Sequence, residues 1–276
     1  MKLSRKYLIN NLCLVFFGIF LCIDSVFGSI SICSWNLQNF GNKKSDIEVA
    51  FIASTIQNYD VIAIQEVITG NGGALVVARL VTLMNSKGGS WDYTISDPTT
   101  SNSSTTSERY AFIWNKKAVS KLGNAWLENH YVVDIDREPY FATFRKEGKE
   151  FTVVTFHAKP KAKQPETEIK YFKFFPNLYP KLNLIFCGDF NCPQSHTVFN
   201  PLKTMGYVPA FVGQKTTLRM KCINNDCLAS EYDNFFYNPK KTIFLKSGVI
   251  HFYLNFPSME KARRISDHIP IYLTFN

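Results

Sequence analysis

The chain is a series of short apolar runs, several of which end on a polar or charged residue. "SISICSWN" (29–36) is apolar and β-branched and predicts a strand running into Asn36. Ser45-Asp46-Ile47-Glu48 has the form of a capping box, in which serine and a glutamate three residues on satisfy the free N–H groups of a helix start. That helix is expected to run to about Asn58. "VIAIQEV" (61–67) follows as a buried type of strand with Glu66 at its C-terminal end. Residues 74–85, rich in Leu and Val, predict a second helix. "YAFIWN" (110–115), "FTVVTFH" (151–157), "LNLIFCGDFN" (182–191), "DNFFYN" (233–238) and the closing run after "SDH" (266–268) complete the clear strands.

Five of these runs share one feature. "SWN", "QEV", "FHAKP", "GDFN" and "SDH" each put an acid, an amide or an imidazole at an edge of a run. A strand interior needs none of these groups, and burying a charge without partners is costly. Each edge alone is a turn, a cap or an exposed end; five together point to strand ends converging on one mouth. Asn36 and Glu66 offer hard oxygen ligands suited to a magnesium- or calcium-type ion. His157 and His268 exchange protons near neutral pH. Asp189 and Asp267 are placed to position water or share a metal. Glu108 and Asp233, each close to an aromatic strand, are candidates to orient an imidazole through its second nitrogen. No Cys/His pair has zinc-site spacing, and neither a Gly-x-Ser-x-Gly elbow nor a phosphate-cradling Gly-Lys-Ser/Thr loop is present. Metal-assisted attack of water on a phosphoryl centre is the chemistry that survives.

Composition changes this picture at three points. Residues 1–28 carry Lys2, Arg5 and Lys6, then an apolar stretch over 12–23, then Val26-Phe27-Gly28 at cleavage spacing. This is the form of a secretory signal peptide, and the stretch falls short of the roughly 20 residues of a membrane span. A retained anchor is the alternative, and lipidation at Cys22 is disfavoured by the bulk of Ile19 and Leu21. Residues 29–276 then form one domain, with no linker or repeat; the polar stretch "SDPTTSNSSTTS" (96–107) reads as a loop. A secreted or periplasmic protein is expected. The net charge of +9 favours a polyanionic partner. Of the cysteines, Cys33 and Cys187 read as small buried hydrophobes, which leaves Cys192, Cys222 and Cys227 for one disulfide and one spare thiol.

The order "SWNLQNF … AIQEV … ERYAFIWN … REPYFATF … FHAKP … GDFN … EYDN … SDHIPI" resembles the endonuclease/exonuclease/phosphatase superfamily across essentially all of the chain after residue 28. "SERYAF" (107–112) and "REP" (137–139) are similar to its deoxyribonuclease I branch. The resemblance implies an α/β (α+β) four-layer sandwich, with two mixed, mostly antiparallel sheets face to face and helices outside. It implies Glu66 as principal metal ligand beside Asn36, with Mg2+ as the ion, Mn2+ or Ca2+ as substitutes, and no organic cofactor. His157 would pair with Glu108, and His268 with Asp233, flanking the scissile phosphate. Asp189 and Asn191 would hold the nucleophilic water and a phosphate oxygen, and Asp267 would support a metal or the second imidazole. Arg109 and Arg137 would contact DNA phosphates, with Tyr110 nearby. Two positions depart from the pattern. Asn234 stands where the mammalian-type enzyme carries a basic residue. The branch's disulfide starts just after "GDFN", so Cys192 linked to Cys222 or Cys227 is the first expectation, and a local Cys222–Cys227 loop the second.

The leading expectation is therefore a secreted, divalent-metal-dependent endonuclease acting on DNA, monomeric, without a stable protein partner or membrane anchor. The basic stripe Lys159, Lys161 and Lys163 would meet backbone phosphates. A lipid-directed phosphodiesterase or phosphatase of the same fold is the alternative, with "FPNLY" (175–179) as its candidate membrane contact, although that segment reads better as the end of a packed helix. An inactive binding module would have lost one of Glu66, His157, Asp189 or His268, and all are present.

Overall fold

Both faces of the central strands are buried, which is why their sequences run apolar instead of alternating. In β1 (Ile30–Phe40), Ile30 and Ile32 point into one core while Cys33 and Trp35 point into another. In β2 (Val61–Val67), Val61 and Ala63 take the first side, and Ile62 and Ile64 the second. The computed structural model describes residues 28–101 and 107–276. The expected signal peptide, apart from Gly28, lies outside the described residues, as does the middle of the polar stretch 96–107.

Between β1 and β2 lies α1 (Asp46–Ile56), opened by the expected box: Glu48 N donates to Ser45 Oγ at 3.3 Å, and Ser45 N donates to Glu48 Oε2 at 2.7 Å. α2 (Asn71–Ser86) starts three residues earlier than the Leu/Val pattern predicts. The chain continues through β3 (Trp91–Ile95), β4 (Arg109–Asn115), β5 (Ser120–Leu127), β6 (Tyr140–Lys146), β7 (Lys149–His157), α3 (Glu166–Ile169), α4 (Phe175–Leu178) and β8 (Leu184–Asp189). It closes with α5 (Asn200–Thr204), β9 (Val208–Pro209), β10 (Leu218–Ile223), β11 (Asp226–Leu228), β12 (Asp233–Tyr237), β13 (Phe244–Val249), α6 (Met259–Arg263) and β14 (Ile271–Phe275).

The strands form two six-stranded sheets, β13-β14-β1-β2-β4-β3 and β5-β6-β7-β8-β12-β9, and β10 with β11 makes a separate hairpin. β1–β2 and β7–β8 run parallel, and the remaining pairs are antiparallel. The sheets pack face to face over Ile32, Phe112, Phe144, Val153, Ile185 and Phe235. Val49 and Ile52 of α1 and Val77 and Leu80 of α2 cover the outer face of the first sheet. Ile169, Phe175 and Leu202 of α3, α4 and α5 cover the second, over a cluster rich in phenylalanine. This is the four-layer sandwich expected. Phe175 is buried in that cluster, so "FPNLY" is packed on the core, as a short helix of its own and not as the end of a longer one.

The topology sends the polar edges to one pole. Asn36 and Glu66 close the parallel pair β1–β2, and His157 faces Asp189 at the end of the parallel pair β7–β8. Asp233 opens β12 directly opposite Asp189, and His268 lies just ahead of β14. Gly188 makes this approach possible: at φ +128° its Cβ position lies 2.0 Å from Phe156 O, so no side chain fits there.

Of the two disulfide expectations the first, through Cys192, is corrected and the second is met. Cys222 pairs with Cys227 across the β10–β11 hairpin, whereas Cys192 is buried and unpaired. The side chain of Cys192 packs into the phenylalanine-rich cluster beneath β8, and the hairpin packs on the opposite sheet through Leu218 and Leu228. Cys33 and Cys187 are buried, as read.

Candidate active site

The mouth at this pole is a cleft of about 510 Å³ lined by Glu66, Glu108, His157, Asp189, Asn191 and His268, with Lys159 and Lys163 on its rim. Each imidazole is held at Nδ1 by a buried carboxylate: His157 by Glu108 Oε2 at 2.8 Å, and His268 by Asp233 Oδ2 at 2.7 Å. Nε2 of both rings then points at the same oxygen, Asp189 Oδ2, at 3.4 Å from each. Asp189 is fixed in turn, accepting from Asn191 N at 2.8 Å and from Asn36 Nδ2 at 3.2 Å. Asn191, at φ +47°, also donates from Nδ2 to Ala158 O at 3.0 Å. Two imidazole–carboxylate couples therefore flank one central carboxylate.

Opposed charges and burial compete within this cluster. Burial alone would raise the Glu108 carboxyl, but His157 and Arg137 hold it below the usual range. Burial and the adjacent Arg137 push His157 down; Glu108 and Asp189 outweigh them and leave its pKa raised. Burial also opposes the charge of His268, yet Asp233 and Asp189 drive its pKa well above the ordinary value. Asp189 sits below its usual value despite burial, through His268, His157 and the Asn191 amide. Neighbouring charges, not exposure to solvent, set the protonation of both imidazoles.

Glu66 is different. It is partly exposed, at φ +61°, where β2 slips register against both neighbours. An L-residue in that conformation stores about 1 kcal/mol or more and is concentrated at functional positions. Its carboxylate accepts only N–H groups, from Asn36 Nδ2 and Asn39 N, each at 2.9 Å, and His157 Nε2 lies 3.9 Å away. Among the described residues no lysine or arginine pairs with it. A hard cation fits such a carboxylate. The side chains of Asp189, Asp233 and His268 also converge, with donor atoms within 4.8 Å of one another, although Asp233 Oδ2 already accepts from Thr216 and His268.

Four expected roles change, and Asp267 keeps only the second of its two. Asn36 turns its oxygen to Gln38 N at 3.0 Å and its NH2 to Glu66 and Asp189, so it spaces two carboxylates and is not poised as an oxygen ligand. Asp267 is bound by Gln38 Nε2 at 3.0 Å and Arg263 Nη2 at 3.4 Å, so its charge is already matched; it favours the charged form of His268. Arg137 is buried, bound to Glu108 Oε2 at 3.0 Å and to Ala158 O, and acts as an internal brace where a phosphate contact was expected. Arg109 is spent on main-chain oxygens, Ser96 O at 2.7 Å and Thr69 O at 3.3 Å. Tyr110 is fully buried; its hydroxyl accepts from His157 N at 3.2 Å and cannot meet DNA. Asn234, at the position lacking a basic residue, is buried and anchors Phe211 through both main-chain groups.

Two residues that sequence reasoning passed over also hold the site. Lys44 is buried and donates to Arg264 O and Ile265 O at 2.8 and 2.7 Å, tying the loop after β1 to the segment that delivers His268. Thr216 donates to Asp233 Oδ2 at 2.6 Å and fixes that carboxylate from the hairpin side. Trp35 Nε1 donates to His268 O at 2.8 Å, and Ser266 Oγ to Asn36 O, closing the terminal segment onto β1.

The Endonuclease/Exonuclease/phosphatase family matches residues 33–268, from within β1 to the second imidazole. The chain belongs to that family. It is a phosphodiester hydrolase of the family's deoxyribonuclease I-like branch. A deoxyribonuclease of Thioalkalivibrio sp. (strain K90mix) is 29% identical over 276 residues, covering 91% of this chain and 72% of its own. Deoxyribonuclease gamma of Rattus norvegicus is 26% identical over 272 residues, covering 88% and 83%. In fold, the chain is similar to a mannosyl-6-phosphatase of Bacteroides thetaiotaomicron, with a TM-score of 0.66 and 17% identity over 90% of this chain and all of the other. D. rerio TDP2 complexed with a single-strand DNA product gives a TM-score of 0.63 and 16% identity, covering 90% and 99%.

Proposed function

We propose that this family member is an exported, divalent-metal-dependent endonuclease that hydrolyses DNA phosphodiesters. The observation that carries the reading is the pair of imidazoles, each oriented through Nδ1 by a buried carboxylate, with Nε2 of both facing the groups on Asp189. The deoxyribonuclease names of the relatives and the net charge of +9 support DNA as the polyanion. The residues 1–28 pattern supports export.

In this mechanism Asp189 and Asn191 orient the attacking water in line with the phosphorus. One imidazole takes the water's proton at Nε2 as the P–O bond forms; the other gives a proton to the leaving oxygen as the second bond breaks. Glu108 and Asp233 hold the tautomers that leave Nε2 facing the cleft, and they stabilise the imidazolium that each step creates or consumes. Arg137 fixes Glu108. A cation held at Glu66 would supply charge stabilisation to the pentavalent phosphoryl group. Lys159, Lys161 and Lys163 would carry the flanking phosphates. Incubating the purified protein with plasmid, RNA and sphingomyelin, each with magnesium and then with chelator, tests the reading. Magnesium-dependent plasmid cutting is expected; turnover of sphingomyelin with intact plasmid would contradict it.

A further inference from the structure

Four central strands change character in the same order as they approach the catalytic mouth. In β1, β2, β7 and β8 the positions facing the opposite sheet are apolar at Ile32, Ala63, Val153 and Ile185. Two residues on, the same faces carry Ser34, Gln65, Thr155 and Cys187, all buried. Beyond that layer come Asn36, Glu66, His157 and Asp189. Within the layer, Gln65 Nε2 donates to Thr155 Oγ1 at 2.7 Å and to Ser34 Oγ at 3.0 Å. The first bond crosses from one sheet to the other, and the second stays within its own sheet. Gln65 Oε1 is buried and, among the described residues, has no hydrogen-bond partner.

Both imidazole–carboxylate couples span the same gap. His157 ends β7 of the second sheet, and its partner Glu108 lies just ahead of β4 of the first. His268 lies ahead of β14 of the first sheet, and its partner Asp233 opens β12 of the second. A change in the spacing of the sheets therefore moves both couples at once. We infer that Gln65 is a positioning residue: its bond to Thr155 sets the spacing of the two sheets beneath the cleft and so the alignment of both couples. Stability does not explain an amide here, because a buried acceptor without a partner is costly and a methionine would avoid that cost. The amide supplies direction instead. Apolar burial is non-directional, so the core between the sheets tolerates small slips, whereas a hydrogen bond of 2.7 Å fixes distance and angle. The consequence for rate rests on the hydrolytic reading above; the consequence for the couples does not.

Three variants of the full chain test this. Gln65→Met keeps most of the volume and removes the donor. Thr155→Val keeps the shape and removes the acceptor. Thr155→Ser keeps the acceptor and gives up a methyl group. Proton NMR in chelator reads the couples without substrate. Wild type and Thr155→Ser should both show the downfield signals of the two Nδ1 protons held by Glu108 and Asp233, and Gln65→Met and Thr155→Val should shift or broaden both. In single-turnover cleavage of plasmid, Gln65→Met and Thr155→Val should each be about 10²-fold slower at unchanged DNA affinity, while Thr155→Ser keeps most of the rate. The Gln65→Met, Thr155→Val double variant should be no slower than either single one, since all three lack the same bond. A role in packing alone predicts the reverse order, with Thr155→Ser the worse of the two threonine variants. That order, unmoved signals in Gln65→Met and Thr155→Val, or a full rate in either of them would overturn the inference. The expected signals together with a plasmid that wild type leaves intact would support the positioning role and refute the nuclease reading.

Discussion

Replacing Arg137 by methionine keeps most of the side-chain volume and removes the guanidinium. Its partner Glu108 lies 3.0 Å away, and both side chains are only 8% exposed, so the lost charge cannot be replaced by water. Breaking a buried pair typically costs about 3–5 kcal/mol. Here the lower end applies, because His157 still meets Glu108 at 2.8 Å and shares its charge. At roughly 2–4 °C per kcal/mol for a chain of this size, the melting midpoint should fall by about 6–12 °C. The same change has a chemical signature. Arg137 Nη1 lies 3.1 Å from His157 Nδ1 and opposes protonation of the ring, while Glu108 and Asp189 favour it. Without Arg137 the His157 pKa rises further, and whichever limb of the pH–rate profile His157 governs moves to higher pH. Turnover should fall by about 10²-fold as the couple loses its alignment. Thermal scans and pH–rate profiles of wild type, Arg137→Met and Arg137→Lys measure all three effects. A stable Arg137→Met enzyme with an unmoved profile and weakened DNA binding would return Arg137 to the surface phosphate contact first expected of it.

Glu66→Gln keeps the size of the side chain and removes the charge offered to a hard cation, so activity should be nearly lost with the circular dichroism spectrum unchanged. Full activity of that variant at low magnesium would take Glu66 out of the site. The salt dependence of DNA binding should sit on Lys159, Lys161 and Lys163: changing all three to alanine should lower the log–log slope by up to about 3, at roughly 0.9 per phosphate contact. An unchanged slope would leave these lysines as a solvated loop. His268 links stability to pH. Its folded pKa is raised, so its charge pair stabilises fully below the unfolded value of about 6.5, and that contribution is lost as pH rises through the folded value. In chelator, the melting gap between wild type and His268→Ala should therefore narrow as pH rises above neutrality, and a constant gap would remove the charged pair.

The strands that build the catalytic pole were legible because both of their faces are buried. β2, β7, β8 and β12 are continuous apolar runs, and each presents its polar residue at an end. The strands that escaped notice lack that signal. β13 is an edge strand with Phe244, Leu245 and Lys246 exposed, and β5 is mostly solvent-facing, so neither has the pattern of a buried run. β6 was visible only as part of a motif. The acid–imidazole pairing depends on register, and register follows from the sheets. His157 meets Asp189 because β7 and β8 run parallel over a glycine, and no local pattern near either residue encodes this. Arg137 and Lys44 failed for the opposite reason. A lysine in "GNKKSD" and an arginine before Glu138-Pro139 look solvated, and only the partners they meet in three dimensions draw them inside: main-chain carbonyls for Lys44, and Glu108 with Ala158 O for Arg137.

The central claim is that His157 and His268 act as one proton-transfer unit on a DNA phosphodiester. Single-turnover cleavage of a plasmid by wild type, His157→Ala, His268→Ala and the double variant tests it most directly, with DNA affinity measured alongside. Each single variant should lose about 10²–10⁴-fold in rate at unchanged affinity. The double variant should be scarcely slower than either, because residues that act as a unit are not additive. Near-normal cleavage by His268→Ala, or a double variant whose loss is the product of the two single losses, would contradict the account.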